Sequence, residues 1–526
     1  MDTVDDTAVV GTRLSRPVAM VVGVLSVLVA VAVGHLAGGL INPAASPVIA
    51  VGNSARDLTP PSITEWAIAN LGDAKKALVF VGVGVVLLVT GVLAGLLSRR
   101  RPWPGVAIAA VVGLVGALSV LDQPSVPTAG VLAPVAGLLA AVATFYRLHT
   151  AATRRRPAVP AGDEPESAAR RRFLWTSAGV VVGAGAAGTA GTLLAGRNDA
   201  TSSRAAVGAL TPGTPAPPIP PGADFASVGT PRFLTANRDF YRVDTALLSV
   251  PQVRAEDWLL RIHGMVDGTR TYTFNDIRRR PLVERTVTIT CVSNEVGGPY
   301  VSTANFVGVP LRDLLREAGV RSGADQLFST SADGWTAGTP VDAAMDPNRG
   351  ALLAIGMNGE PLPIEHGFPA RMVVPGLYGF VSATKWVVDM ELTTFGARES
   401  YWRKRNWGVR APIKTQSRID APRAFATVPG GRVTIAGVAW AQTIGVAKVE
   451  VRVDGGRWLP ARLATEVNSQ TWRMWRLDVD LAPGTHRAEV RATDRRGQTQ
   501  RQERVPPIPD GATGWHSTTF TVDTQS

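Results

Sequence analysis

RTVTITCVSNEVGG, residues 285–298, reads as a strand that opens into a glycine-rich turn. Val, Ile and Thr alternate up to Thr290, a composition that suits a pleated surface. Cys291 stands at the strand end and is the single cysteine among 526 residues. One thiol excludes an intrachain disulfide and a cysteine-rich zinc site. A thiol entering such a turn faces a pocket more readily than a core. Three readings stay open on spacing alone: inert core, nucleophile, or soft-metal ligand.

Working outward, Trp258–His263 (WLLRIH) and Arg371–Pro375 (RMVVP) also read as strands. Val309–Ala318 (VPLRDLLREA) reads as an amphipathic helix with Pro310 in its first turn. Strand-like and helical runs thus alternate over 225–411, which predicts a mixed α+β domain. Beyond it, β-rich runs recur at Val433–Val438, Ala447–Val453, Trp472–Val479 and His486–Ala492. The turns Asp454-Gly455-Gly456 and Pro483-Gly484 punctuate them. This pattern predicts an all-β sandwich over 412–526. Seven of the 13 tryptophans follow position 400, as a packed β core requires.

Upstream, residues 201–224 read as a Pro-rich linker, with six prolines in positions 212–221, stiff and extended. Before it the chain is apolar. Pro17 to Ser98 holds six charged residues, and Pro102 to Tyr146 only Asp122. A spanning helix needs about 20 mostly apolar residues, and 18–41, 77–97, 104–121, 131–148 and 173–196 come close. Residues 1–172 therefore read as a four-helix membrane region, and 173–200 as a fifth transmembrane helix. Arginines before the first span, at 99–101, and at 147–172 place those ends in the cytoplasm. Arg56, Lys75 and Lys76 in the 42–76 loop are a mild counter-signal. The expectation is a multi-pass protein of the cell membrane with its C-terminal half extracytoplasmic. Arg170-Arg171-Arg172-Phe173-Leu174 also matches a twin-arginine export signal, the route of proteins folded around a cofactor.

Net charge is +12, yet only 18% of residues are charged. Much of the arginine is loop charge at the inner face, so no nucleic-acid role is expected. Gly183-Ala184-Gly185-Ala186-Ala187-Gly188 imitates a dinucleotide loop, but the run stays apolar to Ala195 with no second strand. Small residues packing a membrane helix explain it better. A bis-histidine haem is not expected either. His35 and His149 lie towards opposite faces of the membrane.

Several ordered motifs carry a resemblance. TITCVSNE, GVPLRDLL, NGEPLPIEHGFPARMVVPGLYGF and SATKW resemble the sulfite oxidase family of molybdopterin enzymes across 225–411. AGVAWA, VEVRVDGGRW and the Trp472/Trp475 pair are similar to that family's C-terminal Ig-like dimerisation domain. The fold class this implies is multidomain: an α-helical membrane region, a mixed α+β molybdopterin-binding domain, then an Ig-like β-sandwich. The implied cofactor is Mo-molybdopterin, with Cys291 as its protein thiolate and catalytic residue. Asn237, Tyr241, Arg242, Ser331, His366, Arg371, Ser382, Thr384 and Lys385 are its implied cofactor contacts. Arg371 and Lys385 match the phosphate side, because an anionic terminus needs cations and backbone donors. Also implied are a small-molecule substrate, a redox partner of unidentified nature, and a homodimer through the C-terminal domain.

Two departures bear on substrate. Where sulfite oxidases continue with Gly-Asn-Arg, this chain has Ser293, Asn294 and Glu295, and Trp407 stands where they place tyrosine. A carboxylate at the mouth of an anion site opposes an anionic substrate. The rival class is a membrane-anchored surface protein whose Ig-like module binds a ligand. The middle domain discriminates, since such a protein has no need of Cys291 or the Ser-Ala-Thr-Lys turn.

Overall fold

The computed structural model describes residues 13–60, 63, 74–124, 126–153, 165–197, 200–246 and 250–524. The chain divides into two compact units, Met1–Asp199 with Ala246–Gln252, and Ala200–Thr245 with Val253–Ser526.

In the first unit the apolar runs form helices α1 (Arg16–Ile41), α2 (Pro47–Leu58), α3 (Ala74–Leu97), α4 (Trp103–Leu121), α5 (Leu132–Thr153) and α6 (Pro165–Arg197). Among the described residues, four helical stretches are long and apolar enough to cross a membrane: Arg16–Ile41, Trp103–Leu121, Thr128–Thr153 and Arg171–Val207. The apolar stretch of α3, Val81–Leu97, is shorter. Glycines set the closest approaches. A Cβ on Gly23 would lie 1.9 Å from the Gly91 carbonyl, and one on Gly95 1.9 Å from that of Ala19. Only hydrogen fits between α1 and α3 there. The glycines at 183, 185 and 188 have nothing within 4 Å, whereas Gly191 is the one that meets α1, at His35 and Leu36. The small-residue contact expected of that run therefore lies one turn further on. Arg170–Arg172 fall inside α6 rather than ahead of it, with Arg171 and Arg172 exposed. His35 is bonded to Ser46 and Thr192, and His149 Nε2 to the Ser98 carbonyl, so both rings have protein partners.

The second unit begins with α7 (Ala200–Val207). Its middle part is built on β1 (Leu259–Gly264), β2 (Arg270–Thr273), β3 (Val283–Thr290), β4 (Val301–Pro310), β5 (Gln326–Ser331), β6 (Thr336–Pro340), β7 (Leu352–Met357), β8 (Glu360–Pro361), β9 (Arg371–Val373) and β10 (Val387–Thr393). One sheet runs β2-β1-β10-β5-β6, and a second runs β3-β4-β7-β8 with β9 on β7. Three short helices matter here: α8 (Phe274–Arg278), α9 (Leu311–Ala318) and α10 (Val341–Met345). Pro310 ends β4 and serves as N-cap of α9, so the helix starts two residues later than its pattern predicts. Leu311, Leu314 and Leu315 then face the core, fully buried. The last helix, α11 (Gly379–Ser382), sits between β9 and β10.

The C-terminal part is a sandwich. One sheet orders β11 (Gln416–Ala421), β13 (Gly431–Trp440), β17 (Arg473–Leu481) and β16 (Arg462–Leu463). The other orders β12 (Thr427–Val428), β19 (His516–Val522), β18 (Gly484–Asp494), β14 (Val446–Val453) and β15 (Leu459–Pro460). Ile435, Val449, Trp475, Val490 and Phe520 meet between them, all fully buried. At Gly437 on β13, a Cβ would strike the Arg418 carbonyl at 1.9 Å, so glycine is required.

The proline segment differs from a free spacer. It lies along β3: Thr214 bridges Val283, and the Ala216 amide donates to Glu284. Prolines have no N–H to pair, and the non-proline residues between them supply the amides. Leu210 and Ala223 are buried in the same core.

Candidate functional site

β3 and β4 pair antiparallel with Thr290 opposite Val301, and Cys291 follows directly. The turn beyond it closes on itself. The Cys291 amide donates to the Tyr300 carbonyl (3.0 Å), the Asn294 amide to the Cys291 carbonyl (3.1 Å), and the Tyr300 amide to Asn294 Oδ1 (2.8 Å). Cys291 is thereby held at 9% exposure. Beside it, Thr290 Oγ1 and Asn294 Nδ2 are buried without a partner.

Arg371 opens β9 and is buried at 5% exposure. Its guanidinium donates to the carbonyls of His366 (3.1 Å) and Ala383 (3.4 Å), while Nε has no partner. Among the described residues no carboxylate pairs with it. Burial pushes its pKa down to about 10. Gly367, at φ +112°, lets this turn pack on the backbone of Lys385, where a Cβ would sit 3.1 Å away.

Lys385 reaches Asp244 Oδ2 at 3.1 Å and the Glu365 carbonyl at 3.0 Å. Burial lowers its pKa to about 8, against the pull of Asp244 in the other direction. Arg242 shares the same carboxylate oxygen at 2.8 Å. His366 is buried and its Nε2 donates to the Asn237 carbonyl at 3.1 Å. Burial, then the nearby Arg371 charge, hold its pKa down to about 4, so the ring is neutral. Tyr241 stacks on Phe240. Burial raises its phenol pKa well above the ordinary value, Cys291 adds to the rise, and Arg371 opposes it. Its ring also lies 6.3 Å, centroid to centroid, from that of Tyr300, which closes the cysteine turn.

The other sequence candidates act differently. The Asn237 side chain is fully engaged by Met357, Asn358 and Glu360. Ser382 donates to the Leu377 and Tyr378 carbonyls, and Thr384 pairs with Ser329. These three shape the backbone around the site rather than offering free side-chain groups. Ser331 Oγ is buried and unpartnered. Sequence reasoning passed over Asp244, which joins Lys385 to Arg242; only its spacing of two from Arg242 hints at a pair. It also passed over Thr290 and Asn294.

The residues fit a phosphate-bearing, sulfur-ligated metal cofactor. The exposed Arg242 and the buried Lys385 share one carboxylate, Asp244, and the buried Arg371 has no carboxylate partner among the described residues. More guanidinium and ammonium groups than paired carboxylates suit an anionic phosphate monoester. Unpartnered donors at Arg371, Ser331, Thr290 and Asn294 await acceptors. Among the described residues, no three of His, Cys, Asp and Glu lie together as a metal site.

Comparison with known proteins agrees. Residues 247–402 match the oxidoreductase molybdopterin binding domain, and residues 416–490 a bacterial Ig domain. Mitochondrial sulfite oxidase of Macaca fascicularis is 31% identical over 334 residues, 53% of this chain and 59% of that protein. Sulfite oxidase of Gallus gallus is 31% identical over 301 residues, 48% of this chain and 65% of that protein. The chain thus spans about three fifths of the length of these relatives. The crystal structure of the sulfane dehydrogenase SoxCD from Paracoccus pantotrophus aligns with TM-score 0.45 and 25% identity, over 52% of this chain and 80% of that one. The domain that holds Cys291, Arg371 and Lys385 is thus a molybdopterin-binding oxidoreductase domain, similar to that of sulfite oxidases.

Proposed function

We propose that the protein is a membrane-anchored molybdenum oxidoreductase, its globular unit extracytoplasmic, that transfers an oxygen atom to or from a small substrate. The observation that carries this is a single buried thiol in a domain that also buries a guanidinium, Arg371, with no carboxylate partner among the described residues. When bound, Mo-molybdopterin supplies a two-electron centre that takes up or gives up an oxygen atom. Cys291 Sγ offers the soft anionic ligand from the protein. Arg371, Lys385 and Arg242 would hold its phosphate, and Asp244 fixes the positions of Lys385 and Arg242. Tyr241, with its pKa raised, stays a neutral phenol able to donate a hydrogen bond at the thiolate side. Electrons pass to or from a separate redox partner, and two chains associate through the sandwich.

The substrate is an uncharged oxygen-atom donor, such as a sulfoxide, in preference to sulfite. Glu295 is exposed on the cysteine turn. Trp407 is 2% exposed, packs on Phe380 and Trp402, and has an unpartnered indole N–H. That is a neutral donor on an apolar wall. Of the basic run 403–405, Arg405 is buried against the Tyr401 ring, which leaves Arg403 and Lys404 facing water. The test is metal analysis of the purified chain followed by steady-state kinetics with artificial electron carriers. One molybdenum per chain, sulfoxide turnover, and sulfite activity gained by Glu295→Arg are expected. A metal-free chain from molybdate-supplied cells overturns the enzyme reading. Efficient sulfite oxidation by the wild type, with no gain in Glu295→Arg, overturns the substrate reading. For sidedness, Arg170→Lys with Arg171→Lys keeps the charge and removes the twin-arginine motif. The globular unit then stays cytoplasmic, and an outside location would reduce the cluster to positive-inside charge.

A further inference from the structure

The turn that carries Cys291 is held from outside its own domain. Arg418 on β11 of the sandwich donates from Nη1 to the Gly298 carbonyl at 2.9 Å, 120 residues away. Its Nε donates to Asp420 Oδ1 at 2.7 Å, and both side chains are largely buried, at 11% and 14% exposure. The pair on one strand face fixes the direction of the guanidinium. Next to it, His516 on β19 accepts from the Ile419 amide at Nδ1 (3.0 Å), which ties the ring to β11. Burial and the charges of Arg504 and Arg418 hold that imidazole neutral, with a pKa of about 4. The ring lies against Gly297: a Cβ there would sit 2.2 Å from it, and φ is +82°.

Inside the turn the contacts are continuous. The Gly298 amide donates to the Glu295 carbonyl (2.9 Å), Asn294 holds Tyr300, and the Tyr300 carbonyl holds the Cys291 amide. The grip on Gly297–Gly298 therefore reaches both the thiol at one end of the turn and Glu295 in its middle. We propose that Arg418 and His516 are positioning residues for the active site, and that the sandwich sets where Cys291 and Glu295 stand. On this reading the C-terminal domain is a working part of the catalytic pocket in every single chain, whether or not chains associate. The inference rests on the proposed role of Cys291 for its catalytic meaning, but the geometry it describes does not.

The test uses the full chain produced without cofactor, where Cys291 is the sole thiol. Its alkylation by iodoacetamide reports opening of the turn. Arg418→Met with Asp420→Asn removes the donor without stranding a buried carboxylate. Loss of a charge-assisted hydrogen bond predicts alkylation about tenfold faster, with hydrogen exchange faster across 291–300. Arg432→Met, on an exposed β13 position, is the control and leaves the rate unchanged. In the loaded protein the double variant shifts the thiolate-to-metal absorption band at unchanged molybdenum content. An alkylation rate within twofold of wild type, in a variant whose sandwich unfolds at the wild-type temperature, overturns the proposal. Should the double variant misfold, Gly297→Ala is read in the same assay, and an unchanged rate there overturns it equally. Metal analysis is independent of alkylation, so failure of the molybdenum assignment and failure of the clamp are told apart.

Discussion

The sandwich closes over Ile435, Val449, Val490 and Phe520, all apolar and fully buried, whereas the pocket of Cys291 buries Arg371, Asp244, Lys385 and His366. The guanidiniums of the sandwich that have an unpartnered or buried N–H, Arg476 and Arg418, are each paired with a carboxylate, Asp478 and Asp420. The pocket holds a guanidinium, Arg371, that no carboxylate among the described residues pairs with. Burying such a cation opposes folding unless an anion arrives. One region therefore supplies stability regardless of cofactor, and the other trades stability for a binding site. Cofactor binding should stabilise the second and leave the first alone.

The sharpest break in that comparison is chemical. Cys291→Ser replaces a soft thiolate with a hard oxygen and should abolish turnover while the fold and most of the pterin remain. Molybdenum and pterin analysis beside steady-state kinetics checks this. Turnover near wild type would remove Cys291 from the metal.

Next come paired substitutions, one in each region. Arg371→Met keeps volume and removes the unpaired charge. Molybdenum content should fall severely, while the cofactor-free chain is as stable as wild type or more so. Lys385→Ala lowers content less, since Arg371 remains. Ile435→Ala should do the reverse, costing about 2–5 kcal/mol with molybdenum per folded chain unchanged. Denaturant midpoints and metal analysis on the same preparations decide. A cofactor-free Arg371→Met chain that is markedly destabilised would mean that the guanidinium is structural.

The same contrast explains what could be read from the sequence. The strand ending at Cys291 and the β-rich C-terminal third follow from β-branched alternation and turn residues, because local periodicity reports which face is buried. The pocket cations were legible only as motifs in family order. Asp244 was not, because its meaning lies in contact with Lys385, 141 residues on. Arg418 was hidden for the same reason. The proline segment misled through composition: it has no apolar period, yet Thr214 and Ala216 place amides where β3 can use them. β3 itself is buried over its last five residues, not on one face, since Trp472, Gln442 and Gln470 bond across Thr288 from the sandwich side.

The smallest effect is a pH slope, and it separates the two regions most finely. His366 in the pocket and His516 on the sandwich both have folded pKa values lowered to about 4, against an ordinary value near 6.5. Between those values the unfolded chain binds protons that the folded chain refuses. Stability therefore rises with pH in this window and is lost as pH falls from about 6.5 towards 4. Each ring contributes on the order of 1–2 kcal/mol by pH 5. His486, raised by the Ala482 carbonyl and Asp454, has the opposite sign: its contribution is present at low pH and lost as pH rises through its folded value. Comparing unfolding at pH 7 and pH 5 reads the net of these effects, and single variants separate them. His516→Gln should flatten the slope by one proton in both cofactor-free and loaded chains. A phosphate beside Arg371 restores His366 towards its ordinary value, so His366→Gln should flatten the slope only in the cofactor-free chain. Equal slopes for wild-type chains with and without cofactor would show that no anion comes within reach of His366, and the pocket would lose its distinction from the sandwich.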